Sequence, residues 1–176
     1  MSTVLRTARV LLREFTSADL EVLAAMMADQ DQMRLYPRPR TKEETTAWLD
    51  RTVALYRKHG FGFWLMESVE GAEFLGYCGI RPRWVDAVEE VEMGWHTVKH
   101  FWNQGIATHA AAACRDLAFT RLDIPRLVAL IDPDNPASIR VAAKIGMQLE
   151  KEAVVDDWPC LVYSAERHLP GEGLRR

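Results

Sequence analysis

The chain has 176 residues, with 22 Lys+Arg against 25 Asp+Glu and a formal charge of −3; its pI is near 6.0. That length suits one domain, large enough to bury a core without disulfide or metal staples. The charge argues against a general nucleic-acid binder, which needs a net basic face to displace counterions, and a composition 48% hydrophobic and 27% charged excludes disordered, collagen-like and coiled-coil chains.

The three cysteines, Cys78, Cys114 and Cys160, are widely spaced and form no Cys-x-x-Cys pair, so reduced, buried thiols are expected. No apolar run reaches the ~18 residues of a membrane span. Arg6, Arg9 and Arg13 precede the first acid, Glu14, a faint transit-peptide feature, but Arg9-Val10-Leu11-Leu12-Arg13 reads better as a strand. With no signal peptide evident, a cytoplasmic location is expected. One domain over residues 1–169 and a C-terminal tail over 170–176 is the economical division.

In chain order, residues 4–15 read as one strand. Thr16 and Asp19 form a capping-box pattern before Leu20, Leu23, Ala24 and Met27, which recur at helical spacing. Pro37 and Pro39 punctuate a loop. Thr41 and Glu44 repeat the box ahead of a helix carrying Trp48, Leu49, Leu55 and Tyr56, with Gly60 placed to end it. Strands are expected over Phe61–Ser68, Phe74–Ile80 and Val88–Thr97, with Trp84–Ala87 as a polar connection. Ile106, Ala110, Ala113, Cys114 and Leu117 mark an amphipathic helix over 105–121. Leu127–Ile131 is a short buried strand. Asn135-Pro136 opens another helix, and Gly146 stops it. Strands over Met147–Val155 and Cys160–Ala165 close the chain. The order, β-α-α-β-β-β-α-β-α-β-β, predicts a mixed α/β fold around a central sheet.

The chemistry-bearing stretch runs from Trp95 to Thr108. A strand ends near Thr97, and a polar-aromatic loop leads to Gly105-Ile106-Ala107 at a helix start. Helix N-termini bind anions through unpaired N–H groups and the positive dipole end, although many strand-Gly-helix junctions are purely structural. A second helix N-terminus, at Asn135 to Ser138, also follows a strand, so both can face one edge of the sheet. Walker, dinucleotide, zinc-protease and esterase motifs are absent from the sequence.

Three blocks carry a family resemblance. Thr7-Ala8-Arg9-Val10-Leu11-Leu12-Arg13-Glu14-Phe15 with Asp19-Leu20 is the first. Glu92-Met93-Gly94-Trp95 followed by Trp102-Asn103-Gln104-Gly105-Ile106-Ala107-Thr108 is the second. Asn135-x-Ala137-Ser138 with Lys144-x-Gly146-Met147 is the third. In this order they resemble the GNAT superfamily of acyl-CoA N-acyltransferases, and within it the RimJ/RimL-type branch. Asn103 stands where a glycine is frequent, His109 where the branch usually has glutamate, and Met147 where it has phenylalanine.

The resemblance implies a mostly antiparallel central sheet with a splayed strand and flanking helices, and acetyl-CoA as co-substrate, with no metal. Trp95, Thr97 and Val98 would pair with the pantetheine arm. The N–H groups of Asn103, Gln104, Gly105, Ile106, Ala107 and Thr108, beside Trp102, would hold the pyrophosphate. Asn135 and Ser138 would face the thioester, and Arg140 and Lys144 would reach the phosphates, unless they are simply solvated helix charges.

A neutral amine must attack the thioester. A lysine amine, with a pKa about 10.4, needs a base more than an α-amine, near 7.7–8.0. Glu92, Asp157 and His96 are base candidates, against readings as an Arg-paired strand carboxylate, a turn carboxylate and a structural histidine. Ser138 is a candidate acid for the thiolate, or an ordinary first-turn hydroxyl. Tyr36, Phe63, Trp84 and Trp158 are candidate acceptor-wall residues or aromatic anchors. The expected partner is an amine, either a peptide N-terminus in an open groove or a small molecule in a closed pocket with one or two acids. A non-catalytic acyl-CoA-binding module is the alternative. The net charge of −3 fits a cationic acceptor, with the basic residues left for a polyphosphate. Either a monomer or a homodimer is compatible with the resemblance.

Overall fold

The computed structural model describes residues 2–167; the predicted tail over 170–176 lies outside them. The chain forms β1 (Thr3–Arg6), β2 (Val10–Arg13), α1 (Leu20–Ala28), α2 (Lys42–His59), β3 (Phe63–Ser68), β4 (Phe74–Val85), β5 (Val88–Thr97), α3 (Ile106–Thr120), β6 (Arg126–Ile131), α4 (Pro136–Lys144), β7 (Gln148–Val155) and β8 (Trp158–Glu166). Short 3-10 turns precede α1 and follow β5. The sheet order is β1-β2-β3-β4-β5-β6-β8-β7. Every neighbouring pair is antiparallel except β5 and β6. Among the described residues, no helix is long and apolar enough to cross a membrane.

Two expectations need correction. The predicted strand over 4–15 is a hairpin, because the Thr7 hydroxyl accepts from the backbone N–H groups of Arg9 and Val10 at 3.2 and 2.9 Å and turns the chain there. Half of the predicted loop over Trp84–Ala87 is strand, since β4 runs to Val85. Asp86 and Ala87 both have positive φ, 48° and 62°, a two-residue turn whose twist lets β4 and β5 pair to their ends.

The sheet separates two apolar layers. β3 shows the period-2 rule directly: Trp64 and Met66 face a core completed by Ile106, Ala110, Cys114 and Leu117 of α3, whereas Phe63 and Leu65 face Leu23, Met27, Trp48 and Leu49 of α1 and α2. In β4 the alternation slips at Gly76, whose φ is +122°. A Cβ there would lie 2.0 Å from the His96 carbonyl oxygen, so only glycine lets the backbones approach this closely. All three cysteines are free and buried.

One ion pair ties the α1–α2 layer to the sheet. Arg13 donates from Nη1 and Nη2 to the two Asp19 carboxylate oxygens at 2.9 and 2.7 Å, and from Nε to Glu67 at 2.9 Å. Asp19 also accepts from the Thr16 backbone N–H and hydroxyl. Both Arg13 and Asp19 are 6% exposed. Burial works against the Asp19 carboxylate, but its hydrogen bonds to Arg13 and Thr16 hold its pKa below the ordinary value. The pair pins the start of α1 to β2 and β3. Asp19→Ala, which leaves the buried guanidinium half-paired, is expected to cost about 3 kcal/mol, seen as a lower urea midpoint at neutral pH. Glu67→Ala, which removes a more exposed partner, should cost less.

Candidate active site

β5 and β6 pair in parallel at one register position, Glu92 opposite Val128. Beyond it β5 stays with β4 as far as Thr97, and β6 stays with β8 as far as Ile131. The two strands therefore diverge, and the facing edges of Met93–Thr97 and Ala129–Ile131 have no strand partner across the gap. Unpaired backbone N–H and C=O groups in a sheet interior are a template for an extended ligand.

The gap opens into a cleft of about 470 Å³ lined by Trp95, Thr97, Trp102, Asn103, Gly105, Ile106, Ala107, Thr108, Asn135, Ser138, Arg140 and Lys144, with Gln32, Arg34 and His96. This gathers nearly all the predicted cofactor-binding residues in one place. Val98 and Gln104 are not among its lining residues. The Val98 N–H is tied to the Leu75 carbonyl, and the Gln104 amide turns outward to the His100 carbonyl.

The start of α3 could seat an anion. Asn103 and Gly105 have φ of 61° and 76°, left-handed values that glycine takes freely and asparagine tolerates. Asparagine therefore replaces the usual glycine without loss of the turn. No side chain caps α3, which leaves its first N–H groups facing the cleft. Basic groups gather here. Arg140, Lys144 and Arg34 line the cleft. The Arg34 guanidinium lies 4.6 Å from the Trp102 ring centroid, and Arg9 Nη1 lies 3.7 Å from the place of a Gly105 Cβ. His109, the departure from glutamate, has Nε2 at 2.9 Å from the Thr7 hydroxyl and ties α3 to the first hairpin.

Gln32, which the sequence did not single out, holds the cleft floor. Its amide donates to the Thr97 carbonyl at 2.8 Å, and its Oε1 accepts from the Lys99 N–H at 2.7 Å. The Trp102 indole donates to the same Thr97 carbonyl at 2.7 Å.

Across the gap, Asn135 caps α4 by accepting from the Ser138 N–H at 3.0 Å. Its amide donates to Ser138 Oγ at 3.0 Å, and the Trp95 indole donates to the same oxygen at 3.3 Å. A hydroxyl that accepts twice keeps its own proton for a third partner.

A second cavity, of about 780 Å³, adjoins the cleft and shares Leu35, Tyr36, Trp95, Asn135 and Ser138 with it. Phe63, Trp158 and Glu92 line it as well. Tyr36 stacks on His96 at 5.8 Å and meets Trp158 edge-on at 5.8 Å. Trp84 and Asp157 are not among its lining residues. Trp84 is 64% exposed, next to the β4–β5 turn. Asp156 and Asp157 form a two-residue turn with φ of 52° and 63°, and it is Asp156 that lines the cavity, paired to Arg83 at 2.7 Å.

Glu92 is 9% exposed, and its Oε2 accepts from Arg81 Nε at 2.7 Å. Oε1 has no partner among the described residues. The Arg-paired reading is therefore realised, with one oxygen left for a ligand.

His96 is structural in this arrangement. Its Nε2 lies 3.3 Å from the Gln32 carbonyl, and its Nδ1 lies 3.2 Å from the Tyr77 hydroxyl. A carbonyl only accepts, so Nε2 carries the proton and Nδ1 accepts from Tyr77. Burial pushes the imidazole down to about 4 against the pull of the Gln32 carbonyl, and the charges of Arg40 and Arg34 add to that lowering.

The sequence model described as "Acetyltransferase (GNAT) domain" matches residues 9–148. The chain belongs to the GNAT acetyltransferase family. YkkB of Bacillus subtilis (strain 168) is 34% identical over 167 residues, 94% of this chain and 97% of that protein. The solved acetyltransferase from Agrobacterium tumefaciens str. C58 is 30% identical with a TM-score of 0.82, over 94% of this chain and 95% of that one. RimL, a ribosomal L7/L12 α-N-protein acetyltransferase solved in complex with coenzyme A, shares the fold with a TM-score of 0.76 at 19% identity, over 94% of this chain and 98% of that one.

As pH falls from about 6.5 to about 4, the unfolded chain binds a proton at residue 96 that the folded acetyltransferase refuses. Stability should therefore fall by up to about 1.4 kcal/mol per pH unit across that window. The effect is absent above it and complete below it. His96→Gln should flatten the slope between about pH 6.5 and 5, before the carboxylates titrate, as read from urea midpoints.

Proposed function

We propose that this GNAT protein transfers an acetyl group from acetyl-CoA to a primary amine, using one acyltransferase domain over residues 1–169. The observation that carries this reading is the junction of the two cavities at Trp95, Asn135 and Ser138. It brings an anion-binding cleft and a separate acceptor space to one point.

When bound, acetyl-CoA supplies an electrophilic carbonyl carbon and a thiolate leaving group. The uncapped N–H groups of α3, with Arg140 and Lys144, hold its phosphates. The unpaired edge of β5 from Met93 to Thr97 pairs with the pantetheine amides, which directs the thioester to Ser138. An amine in the larger cavity reaches that point past Glu92. Glu92 Oε1 takes the ammonium proton, directly or through one water, and the freed lone pair forms the new C–N bond as the C–S bond breaks. The spare Ser138 proton goes to the departing sulfur, and the second proton of the attacking nitrogen, shed as the amide forms, restores the Ser138 hydroxyl.

An α-amine, with an ordinary pKa near 7.7–8.0, is already partly neutral near neutral pH and needs a base less than a lysine-type amine near 10.4, so an α-amine is the favoured acceptor. The RimJ/RimL-like opening motif supports the same choice.

Free-thiol release from acetyl-CoA with α-amine and ω-amine acceptors tests the reading. Turnover with at least one amine is expected. Ser138→Ala should lower kcat by about 10²-fold with little change in the KM for acetyl-CoA. Glu92→Gln should lower kcat similarly. Full activity in both variants would contradict the assignment.

A further inference from the structure

The larger cavity has an arginine wall that the acetyl-transfer reading leaves without a task. Arg40, Arg51, Arg81 and Arg83 line it, against Glu92, Asp132 and Asp156. Most of these charges are already matched. Arg81 is paired to Glu92, and Arg83 to Asp156, at 2.7 Å each. Asp132 accepts from the Trp158 indole at 3.0 Å and from the Asp134 N–H at 2.7 Å.

Arg40 and Arg51 are different: neither side chain has a carboxylate within 4.0 Å or a hydrogen-bond partner among the described residues. The nearby acid is taken, since Glu44 pairs with Arg38. Arg40 is nevertheless fixed in place, because its backbone N–H donates to the Met27 carbonyl at 2.8 Å, and Arg51 stands on the capped helix α2. Both also line an adjoining recess of about 350 Å³ with Tyr36 and Pro37, and the Arg40 charge adds to the lowering of the His96 pKa.

We propose that Arg40 and Arg51 form a carboxylate subsite, so that the acceptor is a primary amine that also carries a carboxylate. This rests on the acetyl-transfer reading and specifies its acceptor. Guanidinium forks match carboxylates bidentately. Glu92 keeps a free Oε1, which suits the reacting amine. Asp156 also keeps an unpartnered Oδ1, but its charge is matched by Arg83 and its side chain is 75% exposed, so a second ammonium beside Arg40 and Arg51 would meet like charge. Diamines and other polycations are therefore excluded as good acceptors, and the cationic acceptor suggested by the overall charge of −3 is replaced by a zwitterionic or anionic one. A local arginine wall outweighs net charge at this range.

The test uses aspartate, glutamate and 6-aminohexanoate, their carboxamides, and 1,4-diaminobutane as acceptors, with thiol release as the readout. At least one acid should exceed its amide and the diamine in kcat/KM by about tenfold or more. Arg40→Gln and Arg51→Gln should each shrink that preference while leaving the KM for acetyl-CoA unchanged. A binding arm, independent of turnover, measures the thermal shift given by glutarate in the wild type and in the Arg40→Gln/Arg51→Gln double variant. A shift lost in the double variant supports the subsite even if no amine is acetylated, in which case the acetyl-transfer reading alone fails. Amides or the diamine acetylated as well as the acids, or a glutarate shift that is absent or survives in the double variant, overturns the subsite and leaves acetyl transfer standing.

Discussion

The site depends on the short parallel contact between β5 and β6. A parallel pair buried in a sheet normally runs for several residues, because every unpaired backbone group there loses its hydrogen bond. Here it ends at Glu92 and Val128. Each strand then follows its antiparallel partner, β4 or β8, and those long ladders hold the split open. The unmatched backbone edge is what the proposed acyl-donor site requires, and the sheet around it carries the structural cost.

The surrounding elements serve that opening. α3 and α4 start on opposite sides of it, one with bare N–H groups and one capped by Asn135. Trp95 reaches across from β5 to Ser138. Gln32 and Trp102 tie down the end of β5 at the Thr97 carbonyl. The buried Arg13–Asp19 pair anchors the start of α1 on the sheet, and α1 leads to the segment that brings Tyr36 and Arg40 to the acceptor side. Residues from both halves of the chain line each of the two cavities, which meet at Trp95, Asn135 and Ser138 beside the split strand.

The donor side was legible in the sequence because its residues are contiguous and its physics is local. A strand, a glycine and a helix start define an anion seat without tertiary information, and the second helix N-terminus, at Asn135, repeats the pattern. The strand Val88–Thr97 was read to its exact bounds. The acceptor side was legible only in part: Tyr36, Phe63 and Trp158 were expected as wall residues and line the larger cavity, but its charged wall was not read. Arg40, Arg51, Arg81 and Asp156 come from a loop, a helix, a strand and a turn, and only packing brings them together. Asp156 and Asp157 are equivalent on paper, and the left-handed turn decides which one faces inward. Trp84 looked like a loop residue because nothing in Asp86-Ala87 announces a two-residue hairpin turn as an Asn-Gly would. The break in the first strand came from one hydroxyl, on Thr7, whose hydrogen bonds hydrophobic alternation does not reveal.

Hydrogen exchange of backbone amides, with and without acetyl-CoA, probes the split strand most directly. Added acetyl-CoA should slow exchange in two separate stretches, the end of β5 around Trp95–Thr97 and the first turn of α3 around Gly105–Thr108, and leave β1, β2 and β7 unchanged. Protection confined to other elements, or none at saturating acetyl-CoA, would contradict the assignment of the β5–β6 opening as the acyl-donor site.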